Sequence, residues 1–302
     1  MTTELAPEER PKLPPPFSVR AMLETEPEPR DWVLPGLPLG KAGLLIAPGG
    51  TGKSKFLLEL AMGIALGRAW PLPAEVLPPT APAPVLLLVS EDEELDIHHR
   101  LWPIAQALGF SGEDHQLLDE NLRIQPTGGL KLVQSDGHGS TLSGALLDAV
   151  SDAVADRPPR LIVGDPLSRL ADWDEVTNRA ATRVVEVMEH LARVIGSSVV
   201  IAHHAGKAAM RNGELSQQHA ARGASALTDG VRWQAHLSRM GKDLALTHGI
   251  DEESARSWVQ FSVAKSNYAA PQPALWLRYG VGGVLIPDEL PAGRRPTDDR
   301  PF

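Results

Sequence analysis

The chain alternates short runs of consecutive apolar residues with longer segments in which apolar positions recur every three or four residues. The runs predict buried strands at GLLIA (43–47), VLLLV (85–89), LIVGD (161–165) and SSVVIAHH (197–204). The longer segments predict helices at 53–67, 94–108 and 176–195. Because the strands are apolar throughout, both faces of their sheet must be covered. The pattern therefore indicates an α/β fold with a mostly parallel sheet flanked by helices.

The end of the chain has a different pattern. Residues 230–286 predict successive strands, such as SWVQFSVAKS (257–266) and PALWLRYG (273–280), that extend the sheet in antiparallel fashion. Proline-rich segments predict the boundaries: a flexible Pro/Glu-rich arm at 1–30, an extended connector at 71–84 and a flexible tail at 287–302. The folded domain is thus expected to span residues 31–286.

Composition narrows the function classes. The 302 residues include no cysteine, which excludes a disulfide scaffold, a thiol nucleophile and cysteine-bound metal sites. A net charge of −9 argues against a protein that coats nucleic acid indiscriminately, although it allows a local basic channel. No apolar run approaches the roughly 20 residues of a membrane helix, and no secretory signal is visible. We therefore expect a cytoplasmic protein with no membrane partner.

The strongest motif is APGGTGKS (47–54), between the first predicted strand and the first predicted helix. Glycines let successive backbone N–H groups turn toward phosphate oxygens, and the helix adds the positive end of its dipole. Lys53 is then placed to reach the β and γ phosphates of ATP, and Ser54 to hold Mg²⁺. The usual pattern begins with Gly, where this chain has Ala47. The alternative is a Gly-rich turn with a solvent-exposed lysine.

The candidate nucleotide-binding residues are Ala47, Pro48, Gly49, Gly50, Thr51, Gly52, Lys53, Ser54, Lys55 and, in the HHR run, Arg100.

Carboxylates follow two of the predicted strands. Asp165 ends LIVGD, where phosphate-loop enzymes place an aspartate that holds a Mg²⁺ water; a turn former is the alternative. Glu91 follows VLLLVS, and ligands of an open parallel sheet lie beyond the carboxyl ends of its strands. Glu91 is therefore a candidate to orient or deprotonate the attacking water. Asp92 is the rival candidate, and a solvated first helical turn is the alternative for the acidic run.

His203 and His204 end the fourth predicted strand. A polar residue there can contact the γ-phosphate and report its loss to the following loop. Capping of the strand is the alternative, and the sequence does not distinguish the two histidines.

Residues 205–240 carry five basic residues against two acidic ones, in an acidic chain. Such an island suits a narrow channel for a nucleic-acid backbone, with Lys207 and Arg211 as candidate DNA contacts; a solvated loop is the alternative. Arg222 and Lys265 are candidates for a cation inserted into a neighbouring subunit's ATP site, with an ordinary salt bridge as the alternative.

Taken in order, these motifs resemble the RepA-type hexameric replicative helicases of plasmid and phage replication, a RecA-like family. The resemblance covers roughly residues 31–286 and rests on VLPGLPLGKAGLLIAPGGTGKS, SEDEELDIHHRL, LIVGDPLSR, VVIAHHAGKAAM, QQHAARGASALTDGVRWQ and VAKSNYAAP.

The resemblance implies a RecA-like P-loop NTPase core in a homohexameric ring. Such a ring would hydrolyse ATP with Mg²⁺ at subunit interfaces, translocate on single-stranded DNA and unwind duplex, with a primase or origin-binding initiator as a possible partner. The family's roles fall on Lys53 and Ser54 as the phosphate-loop pair, Glu91 as catalytic glutamate, Asp165 as magnesium aspartate, His203 or His204 as γ-phosphate sensor and Arg222 as arginine finger.

Other functions fit the motifs less well. An ATP-gated DNA-binding or regulatory ATPase, which assembles without unwinding, remains the main alternative because γ-phosphate sensing alone can drive assembly. A small-molecule kinase needs a lid and an acceptor pocket, and no Arg-rich lid is visible in the sequence. A GTPase would need a guanine-reading Asn-Lys-x-Asp string, which does not occur.

Overall fold

The computed structural model of the chain describes residues 13–135, 141–206 and 225–293. The chain divides into two compact units, Met1–Asp31 and Trp32–Phe302, whose contacts are mostly internal to each unit. Helix α1 (Val19–Glu24) lies in the first unit; its N-cap is Ser18, and none of its residues is buried. Residues 1–12 and 294–302, in the arm and tail predicted to be flexible, lie outside the described residues.

The second unit is an α/β arrangement. Its described strands are β1 (Trp32–Leu34), β2 (Leu37–Pro38), β3 (Ala42–Ala47), β4 (Val85–Val89), β5 (Leu122–Pro126), β6 (Val133–Ser135), β7 (Thr141–Ser143), β8 (Leu161–Asp165), β9 (Ser198–His204), β10 (Trp233–Arg239), β11 (Trp258–Ser266), β12 (Leu275–Tyr279) and β13 (Leu285–Pro287). Its described helices are α2 (Lys53–Leu66), α3 (Glu94–Leu108), α4 (Gly112–Asn121), α5 (Ala145–Ala153), α6 (Leu167–Leu170), α7 (Asn178–Ile195), α8 (Ser225–Gly230), α9 (Lys242–Thr247) and α10 (Glu252–Ala255).

One large sheet organises this unit. Its nine strands lie in the order β13–β12–β11–β10–β3–β9–β8–β4–β5. The strands from β10 to β5 pair in parallel, whereas β10, β11, β12 and β13 pair antiparallel. The predicted fold class, with a mostly parallel sheet and a C-terminal antiparallel extension, is confirmed.

The apolar strands are buried because the sheet has a core on each face. In β3, Leu45 and Ala47 point toward the core that contains Phe56 of α2, whereas Leu44 and Ile46 point toward the core that contains Met188 of α7. Side chains alternate between the two faces of a strand, so a strand covered on both sides must be apolar at every position. The continuous apolar runs in the sequence reflect this double burial.

Several described elements were not predicted: α1, α4, α5, α6, α8, β1, β2, β6 and β7, and also the edge strand β5 and the helices α9 and α10. The edge strand β5 (LRIQP) is partly exposed and lacks a continuous apolar run. Helices α9 and α10, between β10 and β11, have six and four residues, so a helical period is barely repeated in either. The prediction of successive strands over 230–286 was therefore incomplete. In the parts of the chain that the structure describes, no helix is both long enough and apolar enough to cross a membrane.

Candidate nucleotide-binding site

The glycine-rich loop lies between the end of β3 and the start of α2. Gly50 and Gly52 have φ angles of +71° and +95°, which side-chain-bearing residues rarely adopt. Ala47 is the last residue of β3 and is fully buried. Positive φ angles occur only at glycines among the described residues, so Ala47 takes an ordinary backbone conformation. The departure from the usual initial glycine therefore causes no strain.

Lys53 and Asp165 form an ion pair with both side chains buried. Lys53 is the first residue of α2, and Asp165 ends β8, which is separated from β3 by β9. Because the carboxyl ends of parallel strands meet at one edge, residues 112 positions apart come together here. Two buried charges need partners, and each here satisfies the other.

The loop fits a polyphosphate with Mg²⁺. The buried Thr51 Oγ1 has no hydrogen-bond partner among the described residues, and a buried hydroxyl without a partner is costly. A phosphate can accept a hydrogen bond from such a hydroxyl, and Lys53 adds the positive charge that an anion requires. The half-buried Ser54 and the carboxylate of Asp165 offer the oxygen atoms that Mg²⁺ prefers.

Glu91 lies just beyond β4, next to the end of β8. Ser90 N–H donates to the Asp165 carbonyl at 3.3 Å, which joins the two strand ends. The Nε atom of Arg169, on α6, donates to Glu91 Oε1 at 3.0 Å, and both side chains are about half exposed. Sequence reasoning missed Arg169; its only signal was its position four residues after Asp165 in LIVGDPLSR.

Asp92 and Arg100 form an ion pair. Both guanidinium Nη atoms of Arg100 donate to the Asp92 carboxylate, with Nη2 at 2.7 Å from Oδ1. Glu93 is the N-cap of α3, and its backbone N–H is bound by Asp96 Oδ2 at 3.0 Å. Glu91 is therefore the acidic residue that contacts the segment following β8, through Arg169, whereas Arg100 is directed to Asp92.

The strand register separates the two histidines. His203 pairs with Ile46 and His204 with Ala47, the residue that precedes the phosphate loop. Register partners in a parallel pair share a face, so His203 points toward the core under α7, where it is buried. His204 is half-buried and lies on the face of Ala47 and α2. This geometry favours His204 as the histidine next to the loop.

The antiparallel strands also contact the phosphate loop. An exposed guanidinium, that of Arg239 at the end of β10, donates to the Gly50 carbonyl. Tyr279 Oη, on β12, donates to the Thr51 carbonyl at 3.1 Å. Lys55, predicted to contact the nucleotide, instead donates from Nζ to the Gly282 carbonyl at 2.8 Å. Sequence reasoning missed Tyr279 and assigned Arg239 only to the basic island.

The structure describes only some of the remaining predicted residues. Lys207, Arg211 and Arg222 lie outside the described residues. Lys265 Nζ donates to the carbonyls of Thr228 and Asp229, at 3.1 and 2.8 Å, at the end of α8. Burial lowers the pKa of Lys265. In the described chain, this lysine thus stabilises a helix end of its own subunit.

Comparison with known proteins gives the family. A family model described as an AAA domain matches residues 7–210, more than half of the chain. The chain belongs to this AAA domain family. A solved structure titled "ATPase Domain of G40P" resembles this AAA domain with a TM-score of 0.56 at 16% identity, covering 82% of this chain and 85% of that chain. The likeness shows a RecA-like ATPase fold.

The AAA domain is therefore a nucleotide-binding ATPase domain, as the phosphate loop predicted. The finer assignment to RepA-type helicases, and the role of each site residue, stay predictions.

Proposed function

We propose that this AAA domain is the motor of a ring-shaped, ATP-dependent DNA helicase of the RepA type. It would couple ATP hydrolysis at subunit interfaces of a homohexamer to translocation on single-stranded DNA in plasmid or phage replication. The observation that carries the ATPase part is the buried Lys53–Asp165 pair, with Glu91 at the neighbouring strand end. The DNA part is supported by the six resemblance motifs and by the basic residues of 205–240.

In this proposal the ion pair separates when ATP binds. Lys53 would turn to the β and γ phosphates, and Ser54 and Asp165 would hold Mg²⁺, which would supply positive charge next to the transferred phosphoryl group. Glu91 leaves Arg169 and orients or deprotonates the attacking water. His204, beside Ala47, contacts the γ-phosphate and passes its loss to the loop that follows β9.

The neighbouring subunit completes the site. Arg222 would enter it as a cation that stabilises transition-state charge. Lys207 and Arg211, in the loop after β9, would contact the phosphate backbone of single-stranded DNA. A residue acting between subunits requires head-to-tail contacts, which close into a ring when the rotation between subunits permits. A primase or an origin-binding initiator would then be the partner that places the ring on its DNA.

Three measurements on the purified protein test this proposal. Sedimentation with Mg²⁺, a non-hydrolysable ATP analogue and single-stranded DNA should show a hexamer. ATP hydrolysis should rise when single-stranded DNA is added, and a forked duplex should be separated only when ATP is present. A hexameric sample that shows neither stimulation nor strand separation would contradict helicase function.

The alternative is an ATP-gated DNA-binding or regulatory ATPase. The hydrogen bond between Glu91 and Arg169 supports this alternative, because hydrolysis would require Glu91 to leave Arg169 first. ATP-dependent DNA binding by Glu91→Gln, together with no strand separation by the unaltered protein, would favour this alternative.

A further inference from the structure

The C-terminal hairpin, defined as residues 275–287, contacts the phosphate loop and the helix that follows it. It consists of β12, a short turn of 3₁₀ helix (Val281–Gly283) and β13. This segment lies beyond residues 7–210, which carry the AAA domain match. The hairpin thus lies outside the matched segment in sequence, but it contacts the helix that follows the phosphate loop.

Tyr279 provides the contact with the loop itself. Its hydroxyl donates to the Thr51 carbonyl at 3.1 Å, across 228 residues of sequence. A Cβ atom on Gly52 would lie only 1.6 Å from the same phenol oxygen, so the hydroxyl packs directly against the backbone of Gly52. Burial, followed by the nearby carboxyl of Glu59, raises the pKa of Tyr279, so the phenol keeps its proton and remains a donor.

Three further hydrogen bonds hold the hairpin against α2 and its surroundings. Lys55 Nζ donates to the Gly282 carbonyl at 2.8 Å, and Leu285 N–H donates to Glu59 Oε2 at 3.0 Å. Trp70 Nε1 donates to the Leu285 carbonyl at 3.2 Å. Lys55 and Glu59 are four residues apart, so they lie on one side of α2 and form a two-point attachment. These hydrogen bonds hold the hairpin that carries Tyr279 in a fixed position relative to α2.

We propose that Tyr279 is a positioning residue for ATP binding: its hydroxyl, held by the C-terminal hairpin, fixes the phosphate loop in its binding conformation. This inference rests on the proposed binding of ATP by that loop. Glycine-rich backbone loses much conformational freedom when it is ordered. A loop that is ordered before ATP arrives does not lose that freedom on binding, so its affinity for ATP is higher.

The test compares Tyr279→Phe with Tyr268→Phe. The chain has two tyrosines, and Tyr268 lines a pocket with Lys41 and Ala42 at the start of β3, the end of that strand opposite the phosphate loop. Removing one hydrogen bond of ordinary strength should raise Kd and KM for ATP about 5-fold in Tyr279→Phe, with kcat within about 2-fold of the unaltered protein. Tyr268→Phe should bind ATP as the unaltered protein does. Calorimetry with a non-hydrolysable ATP analogue gives Kd, steady-state hydrolysis gives KM and kcat, and thermal unfolding without nucleotide gives the unfolding temperature.

A purely structural role would move a different quantity. If Tyr279→Phe lowers the unfolding temperature but leaves Kd unchanged, or if it changes neither, the positioning role is wrong. If the unaltered protein itself fails to bind ATP, the proposed function fails first. Retained binding by the unaltered protein and by Tyr268→Phe separates the two failures.

Discussion

Glu91 and Asp92 are consecutive carboxylates with different surroundings. Glu91 is paired with the exposed Arg169, and such exposed pairs contribute little, so its side chain can be released at small cost. Asp92 is held by both Nη atoms of Arg100, and paired contacts of this kind fix geometry. The difference favours Glu91 over Asp92 as the residue proposed to act on the attacking water.

Amide substitutions distinguish the two. Glu91→Gln keeps the shape of the side chain but cannot accept a proton, so hydrolysis should fall by at least about 100-fold while ATP still binds. Asp92→Asn should lower hydrolysis only a few-fold. Phosphate release and nucleotide binding are the measurements. A larger loss of hydrolysis in Asp92→Asn would transfer the catalytic role to Asp92.

Glu59 predicts a pH-dependent stability. Burial raises its pKa from 4.5 to about 8, against the opposing effects of the Leu285 N–H and the charge of Lys55. An acid with a raised folded-state pKa stabilises the fold fully below its unfolded pKa, and that stability is lost as pH rises to the folded pKa. Between about pH 4.5 and 8 this loss amounts to as much as about 5 kcal/mol, at about 1.4 kcal/mol per pKa unit.

Glu59→Gln should remove this contribution while keeping an acceptor for Leu285. Relative to the variant, the unaltered protein should lose several kcal/mol of unfolding free energy between pH 5 and 8, because its other titrating groups are shared. Urea unfolding at pH 5, 6.5 and 8 measures the difference. A difference that stays constant over this range would mean that Glu59 ionises normally.

How much of the site the sequence can predict depends on whether the contacting residues belong to recognisable motifs at strand ends. Lys53, Ser54 and Asp165 belong to motifs next to strand ends, and parallel topology alone brings them together. Arg169, Arg239 and Tyr279 reach Glu91, Gly50 and Thr51 across 78, 189 and 228 residues. No local pattern encodes such contacts, because they depend on strand order. The choice between the histidines likewise required the register.

At the scale of elements, α7 shows why its prediction succeeded. Its apolar positions form one buried face, and its exposed face includes Val194, which is 58% exposed. A long amphipathic helix repeats its pattern over several turns, which makes it easy to predict. The six-residue α9 and four-residue α10 lack that repetition, and β5 lacks a continuous apolar run because it is an edge strand.

Two apolar truncations test the buried face. Met188→Ala removes a side chain that is 1% exposed, so it should lower the unfolding free energy by about 2–4 kcal/mol. Val194→Ala, six residues later on the same helix, should change it by less than about 0.5 kcal/mol. Chemical denaturation measures both values. Equal losses would show that α7 is not packed by the face described.

At the scale of the molecule, the residues proposed for ATP binding and hydrolysis lie at one edge of the sheet. The ends of β3, β4, β8 and β9 bring Ala47, Glu91, Asp165 and His204 to that edge, and the antiparallel strands add Arg239 and Tyr279. Parallel strands supply the residues proposed for chemistry, whereas the C-terminal extension contacts the loop from the other side. The DNA-facing loop proposed after β9 would leave from this same edge.

Calorimetric titration of a non-hydrolysable ATP analogue with Mg²⁺ into the unaltered protein and into Lys53→Ala tests most directly whether ATP binds where Lys53 meets Asp165. The unaltered protein should bind one analogue molecule per chain, and Lys53→Ala should bind it at least about 100-fold more weakly, because the phosphates lose a buried positive charge. No binding by the unaltered protein, or equal binding by the folded variant, would contradict a nucleotide site at this loop.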